Sequence, residues 1–411
     1  MKKKIFLIVY TSLTLLLFSK EYVVDQINIS GLTRTKYSTV LNIIGVNKGS
    51  VVDESIDSQI EQDLLSAGIF QKNIGVNIVN ITDTTIQLNI ELMERWTLIP
   101  IPVGFVSSDS WLAGGVFIES NLLGLNQTLV SGLFVNSEKI SGFSAWVNPN
   151  FLDSNYSFGL STSFNRGGID HLDISGKDVL SSYNEERLAL SISLGRDLKW
   201  NFGVLLSTGI EGFKALDPTG YLGNSGVDEL FFNNSLTLSY KDLYFSNFFT
   251  DGWDINLEYK VSSSKNYLYN PSLLLKINRT FLFNDNYLLK TGINSGWQGS
   301  IDYKPIFIGG VEGSRVLPSG QVAIEKYADS LVSFEPVIYS PSWGSFTLPV
   351  YYEAGIFTSL EGVNEFWHGP GVGFRFYVDK VAIPALGADF TWDLERGLFK
   401  VAVSVGGTGG G

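Results

Sequence analysis

Cysteine is absent from the 411 residues of this chain, and histidine occurs only twice, as His171 and His368. The first absence excludes disulfide bonds, thiolate metal sites and cysteine nucleophiles. The second excludes a zinc site built from several histidines. The chain also lacks a Gly-x-Ser-x-Gly nucleophile elbow and a Gly-x-x-x-x-Gly-Lys phosphate loop. These absences predict a protein that is not an enzyme and that has no catalytic residue, metal site or cofactor.

Charged side chains are also few, at 17% of residues, and their balance is acidic, with a formal net charge of -12. Nucleic-acid binding requires a basic surface that neutralises phosphates, so we predict no nucleic-acid partner. Aromatic residues, in contrast, make up 13% of the chain, and glycine occurs 43 times. Few charges with many aromatics and glycines are typical of a membrane β-barrel.

No apolar run in the sequence is long enough to predict a transmembrane helix. The nearest approach is at the N-terminus, where Lys2–Lys4 precede a mostly apolar stretch, Ile5–Phe18. A basic start followed by a short apolar stretch is typical of a secretory signal peptide, which we predict over residues 1–19, with Ser19 as the last residue removed. No cysteine follows this segment, which excludes a lipid-anchored lipoprotein.

Alternation of side-chain type is the dominant pattern of the rest of the chain. In Leu188–Gly195 every second residue is a branched aliphatic, and the residues between are small or hydroxylic. Tyr156–Ser161 shows the same alternation with aromatic residues. Because successive side chains of a strand point to opposite faces, each segment has one apolar and one small polar face. The apolar faces would meet in the core of a soluble sandwich, but in a membrane barrel they face lipid and the polar faces line the lumen.

Such segments recur about sixteen times over residues 95–405, and an even number of spans of about ten residues is what a closed bacterial barrel has. We therefore predict a closed antiparallel transmembrane β-barrel over residues 95–405, with its first strand near Leu112 and its last near Phe399. Residues 406–411 are predicted to be a Gly-rich tail. Outer loops are predicted in the long gaps between strands, at Gly167–Glu186, Glu211–Asp228 and Val311–Ala328.

Residues 20–94 show other periodicities and predict a small α+β unit. Apolar residues recur at helical spacing in two segments, one ended by Gly45 and the other by Gly68. Strand-like alternation precedes the first helix, at Val23–Ile29, and two further alternating segments follow the second helix. The predicted order is β-α-α-β-β.

The order and landmarks of this unit resemble those of a polypeptide-transport-associated (POTRA) domain. The landmarks are Ile29-Ser30-Gly31-Leu32 after the first strand, Gly49 before the second helix, Ala67-Gly68-Ile69-Phe70 after it, and Glu91 in the last strand.

The barrel region resembles the BamA/TamA outer-membrane assembly superfamily. Two hairpin turns, a sixth-loop motif, an aromatic-x-acid-x-Gly strand and a penultimate hairpin carry this resemblance. The hairpin turns are Asn121-Leu122-Leu123-Gly124 and Asn148-Pro149-Asn150-Phe151, and the sixth-loop motif is Phe307-Ile308-Gly309-Gly310 followed by Arg315. The aromatic-x-acid-x-Gly strand is Tyr351-Tyr352-Glu353-Ala354-Gly355, and the penultimate hairpin contains Gly371-Val372-Gly373-Phe374-Arg375-Phe376.

The resemblance implies that the sixth loop, with its motif residues Gly309, Gly310 and Arg315, folds back into the lumen. It also implies that Arg315 pairs there with Glu353, as a bidentate anchor that supplies both direction and energy. The chain departs from the superfamily pattern after Arg315, where Val316-Leu317 replaces a glycine and an aromatic residue. The alternative is an arginine on an exposed loop and a glutamate facing water, a pair that contributes little.

Closure of the barrel defines a second candidate site, a seam between the strand near Leu112 and the strand near Phe399. A weakly closed seam exposes main-chain donors and acceptors, with which a client strand would pair. Gly114 and Gly115 on one strand, and Phe399 and Val401 on the other, are the predicted seam residues. The alternative is that these glycines are ordinary for a barrel. An edge strand of the α+β unit would offer the same chemistry, or the unit would instead dock partner proteins or cover the pore mouth.

The function implied by the resemblance is insertion or translocation of polypeptides at the bacterial outer membrane, with the POTRA domain in the periplasm. The implied partners are outer-membrane lipids, unfolded outer-membrane or secreted polypeptide clients, and periplasmic chaperones or accessory lipoproteins. Two alternatives remain open at this point: a passive outer-membrane pore, and a dedicated exporter of one secreted partner protein.

Overall fold

A computed structural model describes the chain in fourteen ranges, 21–71, 73–106, 111–152, 154–172, 178–198, 200–220, 226–246, 249–284, 286–299, 306–308, 314–317, 322–359, 362–378 and 384–405. The predicted signal peptide and the Gly-rich tail lie outside these ranges. The chain divides by its contacts into two units. The first comprises Met1–Ile99, Ile118–Leu129 and Asn148–Asp153, and the second comprises Pro100–Phe117, Val130–Val147 and Ser154–Gly411.

The N-terminal part of the first unit is an α+β unit with one sheet and two helices. Its elements are β1 (Tyr22–Ser30), α1 (Tyr37–Ile44), β2 (Val51–Val52), α2 (Ile56–Ser66), β3 (Gly75–Asn80) and β4 (Thr85–Glu91). The sheet order is β2-β1-β4-β3, in which β1 and β4 are parallel and the other pairs are antiparallel. Val24 and Leu88 of the sheet and Val40, Ile60 and Leu64 of the helices are fully buried in one core.

The α+β unit differs from the predicted order by one element. The short strand β2 lies between the helices and pairs with β1. Two residues are too few to show an alternating pattern, which is why the sequence did not indicate this strand. The first helix ends as predicted at Gly45, whose φ of 64° is left-handed and whose N–H bonds to the carbonyl of Leu41. Assignment of the unit as a POTRA domain stays a prediction.

The remaining strands close into a barrel, which confirms the predicted fold class of a nearly all-β chain with a closed β-barrel. The described residues form eighteen barrel strand segments, of which β16 and β18 have three and four residues. The predicted number of about sixteen strands stays a prediction. The strands are β5 (Leu98–Val106), β6 (Trp111–Leu122), β7 (Gln127–Asn136), β8 (Lys139–Phe151), β9 (Tyr156–Leu172), β10 (Val179–Asp197), β11 (Phe202–Leu216), β12 (Val227–Ser246), β13 (Phe249–Ser263), β14 (Asn270–Phe283), β15 (Tyr287–Gln298), β16 (Ile306–Ile308), β17 (Val322–Tyr339), β18 (Gly344–Thr347), β19 (Val350–Ser359), β20 (Asn364–Val378), β21 (Pro384–Asp393) and β22 (Leu398–Val405).

The outward face of the wall is apolar along these strands. On β10, Leu188, Leu190, Ile192 and Leu194 are 63%, 46%, 46% and 45% exposed, whereas the serine residues that alternate with them are less exposed. A soluble sandwich would bury such a face, so exposure along the whole wall is what a lipid-facing surface requires. No helix in the described ranges is both long and apolar enough to cross a membrane.

Two of the predicted outer loops are shorter than predicted, because strands continue into both of them. Strand β9 runs on to Leu172 and β10 begins at Val179, while β11 runs on to Leu216 and β12 begins at Val227. Tyr183, Phe213 and Phe231 form a buried cluster on these extensions. With 15 to 20 residues each, strands β9 to β13 exceed the nine to eleven or so that span a membrane. On these extensions the inward residues are buried and apolar rather than small and polar, so the alternation on which the sequence prediction depended is lost.

The first barrel strand also differs from the prediction. The strand near Leu112 is β6, and β5 precedes it and pairs with the last strand, β22. Strand β5 contains Pro100 and Pro102. Proline lacks the N–H that a ladder needs, so this segment does not look like a strand in sequence, yet an edge or seam strand tolerates it.

Candidate functional site in the barrel lumen

A short segment inside the barrel, Ser314–Leu317, is the centre of the candidate site, and we call it the lumen segment. All four of its residues are buried, with exposed fractions of 9% or less. The hydroxyl oxygen of Ser314 accepts hydrogen bonds from the N–H groups of Val316 and Leu317, at 3.2 and 3.1 Å, and this fixes a tight turn. Because buried main-chain groups need partners, the barrel wall must supply the remaining hydrogen bonds.

The structure brings the two predicted anchor residues, Arg315 and Glu353, together. One carboxylate oxygen of Glu353 on β19 accepts from the main-chain N–H of Arg315 at 3.0 Å. The other accepts from the indole N–H of Trp367 on β20 at 3.2 Å. The guanidinium carbon of Arg315 lies 4.8 Å from the ring centre of Tyr351, within cation–π distance. The carboxylate therefore anchors the main chain of the lumen segment, and bidentate pairing with the guanidinium stays a prediction.

Two further strands hold the carbonyl groups of the lumen segment. The hydroxyl of Thr391 on β21 donates to the carbonyl of Arg315 at 3.0 Å. The ammonium of Lys400 on β22 donates to the carbonyl of Leu317, also at 3.0 Å. The lumen segment is thus fixed to β19, β21 and β22, close to the C-terminal end of the wall.

Glycines on β19 and β20 make room for the aromatic side chains of this site. Gly371 pairs with Tyr351 in register, and Gly355 pairs with Trp367. A Cβ atom on either glycine would lie 2.3 Å from the ring opposite, so both rings lie flat across the strand beside them. A Cβ on Gly369 would lie 1.7 Å from a main-chain oxygen. These close approaches explain why glycine occupies these positions in the two sequence motifs.

A buried ion pair lies on the same wall and was not predicted from the sequence. One guanidinium nitrogen of Arg375 on β20 donates to both carboxylate oxygens of Asp389 on β21, each at 2.7 Å. The two side chains are 1% and 3% exposed. The hydroxyl of Tyr351 donates to the same carboxylate at 3.0 Å, so Tyr351 lies between the Arg315 guanidinium and this pair. Arg375 lies within the motif Gly371–Phe376. Its alternation with Phe374 and its shared face with Gly371 and Gly373 are the signal that could have placed it on the lumen face.

Two cavities border the lumen segment. One, of about 340 Å³, is lined by Lys290, Glu335 and Arg375 among others, and the second, of about 420 Å³, is lined by Asp329 and Glu353 among others. Arg315 lines both, so the lumen segment lies between them. The described residues hold no group of three or more His, Asp or Glu side chains suited to a metal ion.

The seam is the second candidate site. In the described residues β22 and β5 share three register pairs, Val403 with Val106, Ser404 with Phe105 and Val405 with Gly104. On its other side β22 pairs with β21 from Leu398 to Val405, its whole length. Continued along the same register, the partners of Phe399–Ala402 are residues 107–110, which lie outside the described residues.

Two prolines reduce the hydrogen bonding that β5 offers at the seam. The carbonyl oxygen of Ile101 lies 3.6 Å from the Cβ position of Gly115 on β6. Main-chain groups of successive strand residues point to opposite neighbours, so those of Pro100 and Pro102 point towards β22. Because proline has no N–H, this part of β5 has fewer donors to offer the seam.

Of the predicted seam residues, two lie on the seam and two do not. Phe399 and Val401 are on β22, with side chains 60% and 37% exposed on the outward face. The prediction for Gly114 and Gly115 is wrong, because they lie on β6, which β5 separates from β22. Cβ atoms there would approach the main chains of β7 and β5, respectively. The motif glycines Gly309 and Gly310 lie outside the described residues.

Within the first unit, Glu94 organises the loop before α1. Its carboxylate accepts from the main-chain N–H groups of Thr33, Arg34 and Thr35, at 2.7 to 3.2 Å, and from the Thr33 hydroxyl. Burial raises the pKa of this carboxyl, but these hydrogen bonds outweigh it and lower the pKa to about 2. The loop is therefore held by an ionised carboxylate.

The same loop contacts the first hairpin turn, which belongs to the first unit. The side-chain amide of Asn121 donates to the Thr35 hydroxyl at 2.8 Å, and the Thr39 hydroxyl donates to the carbonyl of Gly124 at 2.8 Å. Gly124 has a φ of 73°, and a Cβ there would lie 2.1 Å from the carbonyl oxygen of Arg34. The turn landmark found in the sequence thus requires glycine for both its conformation and this close approach.

No protein-family model and no curated protein matches the sequence. Solved structures do match. BamA from Haemophilus ducreyi lacking POTRA domains 1–3 is 14% identical with a TM-score of 0.63, over 93% of this chain and 84% of that one. CdiB from Acinetobacter baumannii is 12% identical with a TM-score of 0.68, over 94% and 74%. CdiB from Escherichia coli is 11% identical with a TM-score of 0.65, over 94% and 76%. The chain therefore has the fold of the BamA/TamA-type superfamily.

Proposed function

We propose that this protein is a bacterial outer-membrane β-barrel that inserts or translocates polypeptides by opening at the seam between β22 and β5. The observation that carries the proposal is that β5, the strand that closes the barrel against β22, contains Pro100 and Pro102, which have no N–H to donate to the seam. The likeness of fold to BamA and CdiB supports it. The apolar exposed wall supports placement in a membrane.

The seam provides the chemistry of strand addition. When it opens, main-chain donors and acceptors of β22 become available to an extended client segment. In lipid an unpaired edge is costly, so pairing with a client strand is favourable. Burial of the client's apolar face adds to this, and the reaction therefore needs no nucleotide, cofactor or catalytic residue. The protein's contribution is to lower the barrier by supplying a template edge.

The position of the lumen segment favours this function over a passive pore. Its side chains are buried between two cavities rather than lining one open channel. Conduction through the lumen would require its four wall contacts to break.

The likeness to CdiB favours a second candidate, export of one partner protein. An exporter would pass its client through the lumen rather than through the seam, and would therefore need the lumen segment to leave. The α+β unit, as a periplasmic POTRA domain, would in both cases receive the client or dock periplasmic chaperones and accessory lipoproteins.

A disulfide across the seam tests the proposal. Gly104→Cys and Val405→Cys occupy directly paired positions, where Cα atoms of antiparallel strands lie about 4.5 to 5.5 Å apart, which suits a disulfide. The chain has no cysteine of its own to interfere. Ser207→Cys with Ser235→Cys, a register pair between β11 and β12, is the matched control. Each purified variant in lipid vesicles is given a small outer-membrane barrel protein unfolded in urea.

We expect the oxidised seam variant to lose assembly of the added barrel protein and to recover it on reduction, while the control pair has no effect. Full assembly by the oxidised seam variant would show that lateral opening is not the mechanism. Unimpaired export of a secreted protein by both oxidised pairs would favour a route through the lumen.

A further inference from the structure

Lys400 occupies an unusual place on the seam strand. The outward side chains of β22 include Phe399 and Val403, which are 60% and 47% exposed, whereas Lys400 points inward and is 9% exposed. Its ammonium donates to the carbonyl of Leu317, which is fully buried. A charged group buried in this way needs a fixed acceptor, and its acceptor belongs to the lumen segment.

The acceptor is itself held firmly. Leu317 packs in a cluster with Val316, Phe357 and Trp367, whose members lie on the lumen segment, β19 and β20. Glu353 holds Arg315, two residues earlier in the lumen segment, by its N–H. Lys400 therefore joins the strand at the barrel seam to a rigid part of the interior.

We propose that the hydrogen bond from Lys400 to Leu317 couples the lumen segment to the seam. While it is made, the inner face of β22 is fixed, and with it the closure of β22 against β5. Outward movement of β22 breaks this charge-assisted hydrogen bond, and this costs more than loss of an ordinary hydrogen bond. Because such coupling is reciprocal, release of the lumen segment favours seam opening, and seam opening favours release of the lumen segment. This inference rests on the proposed lateral opening and names its regulation.

Hydrogen exchange of the β22 amide groups measures the coupling, because the exchange rate follows the fraction of time that the strand is open. The full-length chain is studied in lipid vesicles without any client. Lys400→Met keeps the length and removes the donor, and Lys400→Arg restores a donor. Lys260→Met is the matched control. Lys260 lies on the same face of β13 as Asn256 and Glu258, which line a lumen cavity.

We expect Lys400→Met to speed exchange of the β22 amides by about fivefold or more, the lower end of typical coupling between sites. Lys400→Arg should restore slow exchange, and Lys260→Met should have no effect. Unchanged exchange in Lys400→Met would overturn the proposal. If that variant gives no folded barrel, Lys400→Gln and Lys400→Ala are judged by the same criterion.

A double-mutant cycle separates coupling from a merely structural role. Glu353→Gln weakens the opposite anchor of the lumen segment, and we expect it to speed β22 exchange when Lys400 is present. In the Lys400→Met background it should add little. Equal acceleration in both backgrounds would contradict the coupling. Because no client is used, failure of client assembly with intact coupling would refute only the proposed function, and assembly without coupling would refute only this inference.

Discussion

Removal of the charge of Asp389 is the most demanding test of the lumen site. Its carboxylate accepts two hydrogen bonds of 2.7 Å from Arg375 and a third, of 3.0 Å, from Tyr351. Asp389→Asn keeps the shape of the side chain but leaves a buried guanidinium without its counter-charge. Loss of one partner of a buried pair costs about 3 to 5 kcal/mol. We therefore expect the free energy of unfolding to fall by about 3 kcal/mol, because asparagine keeps part of the hydrogen bonding.

The assay is urea unfolding of the purified chain in lipid vesicles, followed by tryptophan fluorescence. The exposed pair of Lys214 and Asp228, at 3.0 Å with side chains 46% and 72% exposed, provides the control. Asp228→Asn should cost less than about 1 kcal/mol, as exposed pairs do. Joint replacement by Arg375→Met and Asp389→Leu should recover stability to within about 1 kcal/mol of the native chain, since no charge is left unpaired. If Asp389→Asn costs no more than Asp228→Asn, the burial argument for this pair is refuted.

Three further predictions concern the wall, the α+β unit and the orientation of the strands. Gly371→Val should lower the free energy of unfolding by about 1 to 3 kcal/mol in the same assay, because a Cβ at this position would lie 2.3 Å from the ring of Tyr351. The control is Gly212→Val, which has open space around it and should cost less than about 1 kcal/mol. The folded-state pKa of Glu94 lies below its ordinary value of 4.5, at about 2, so the stability it confers on the α+β unit is present above about pH 4.5 and is lost as the pH falls towards 2. Hydrogen exchange of the loop amides bound to Glu94 should show this loss, and Glu94→Gln should exchange fast at every pH. A fluorophore on Leu190→Cys should be quenched by brominated lipid, and one on Ser191→Cys by an aqueous quencher admitted to the lumen; the opposite pattern would contradict the strand orientation.

The sequence was sufficient for the barrel and for the facing of its strands, because alternation with a period of two is a local property. It failed at β5, where Pro100 and Pro102 interrupt the pattern at a position in which a closed sheet tolerates them. The strand extensions failed for a different reason. Their inward side chains include Tyr183, Phe213 and Phe231, which are apolar and buried in one cluster. The contrast between an apolar outer face and a small polar inner face is therefore lost there.

The lumen site, too, was predicted from the sequence only in part. The motif around Glu353 and the sixth-loop Arg315 indicated an anchor, and the structure places these two residues together. Alternation can place Arg375 and Asp389 on the inward face of their strands. It does not show which inward residues of two neighbouring strands meet, because that depends on the register between the strands. That Lys400 reaches the lumen segment depends on a turn 83 residues away, a long-range contact with no local signal.

The measurement that tests the central claim most directly is photo-crosslinking from the seam strand to a client in the act of assembly. A benzophenone amino acid at Phe399 faces outward on β22, and one at Leu206 faces outward on β11, far from the seam in strand order. The account predicts adducts with the assembling client at Phe399 and few at Leu206. Equal adducts at both positions, or none at Phe399 while assembly proceeds, would contradict lateral opening at this seam.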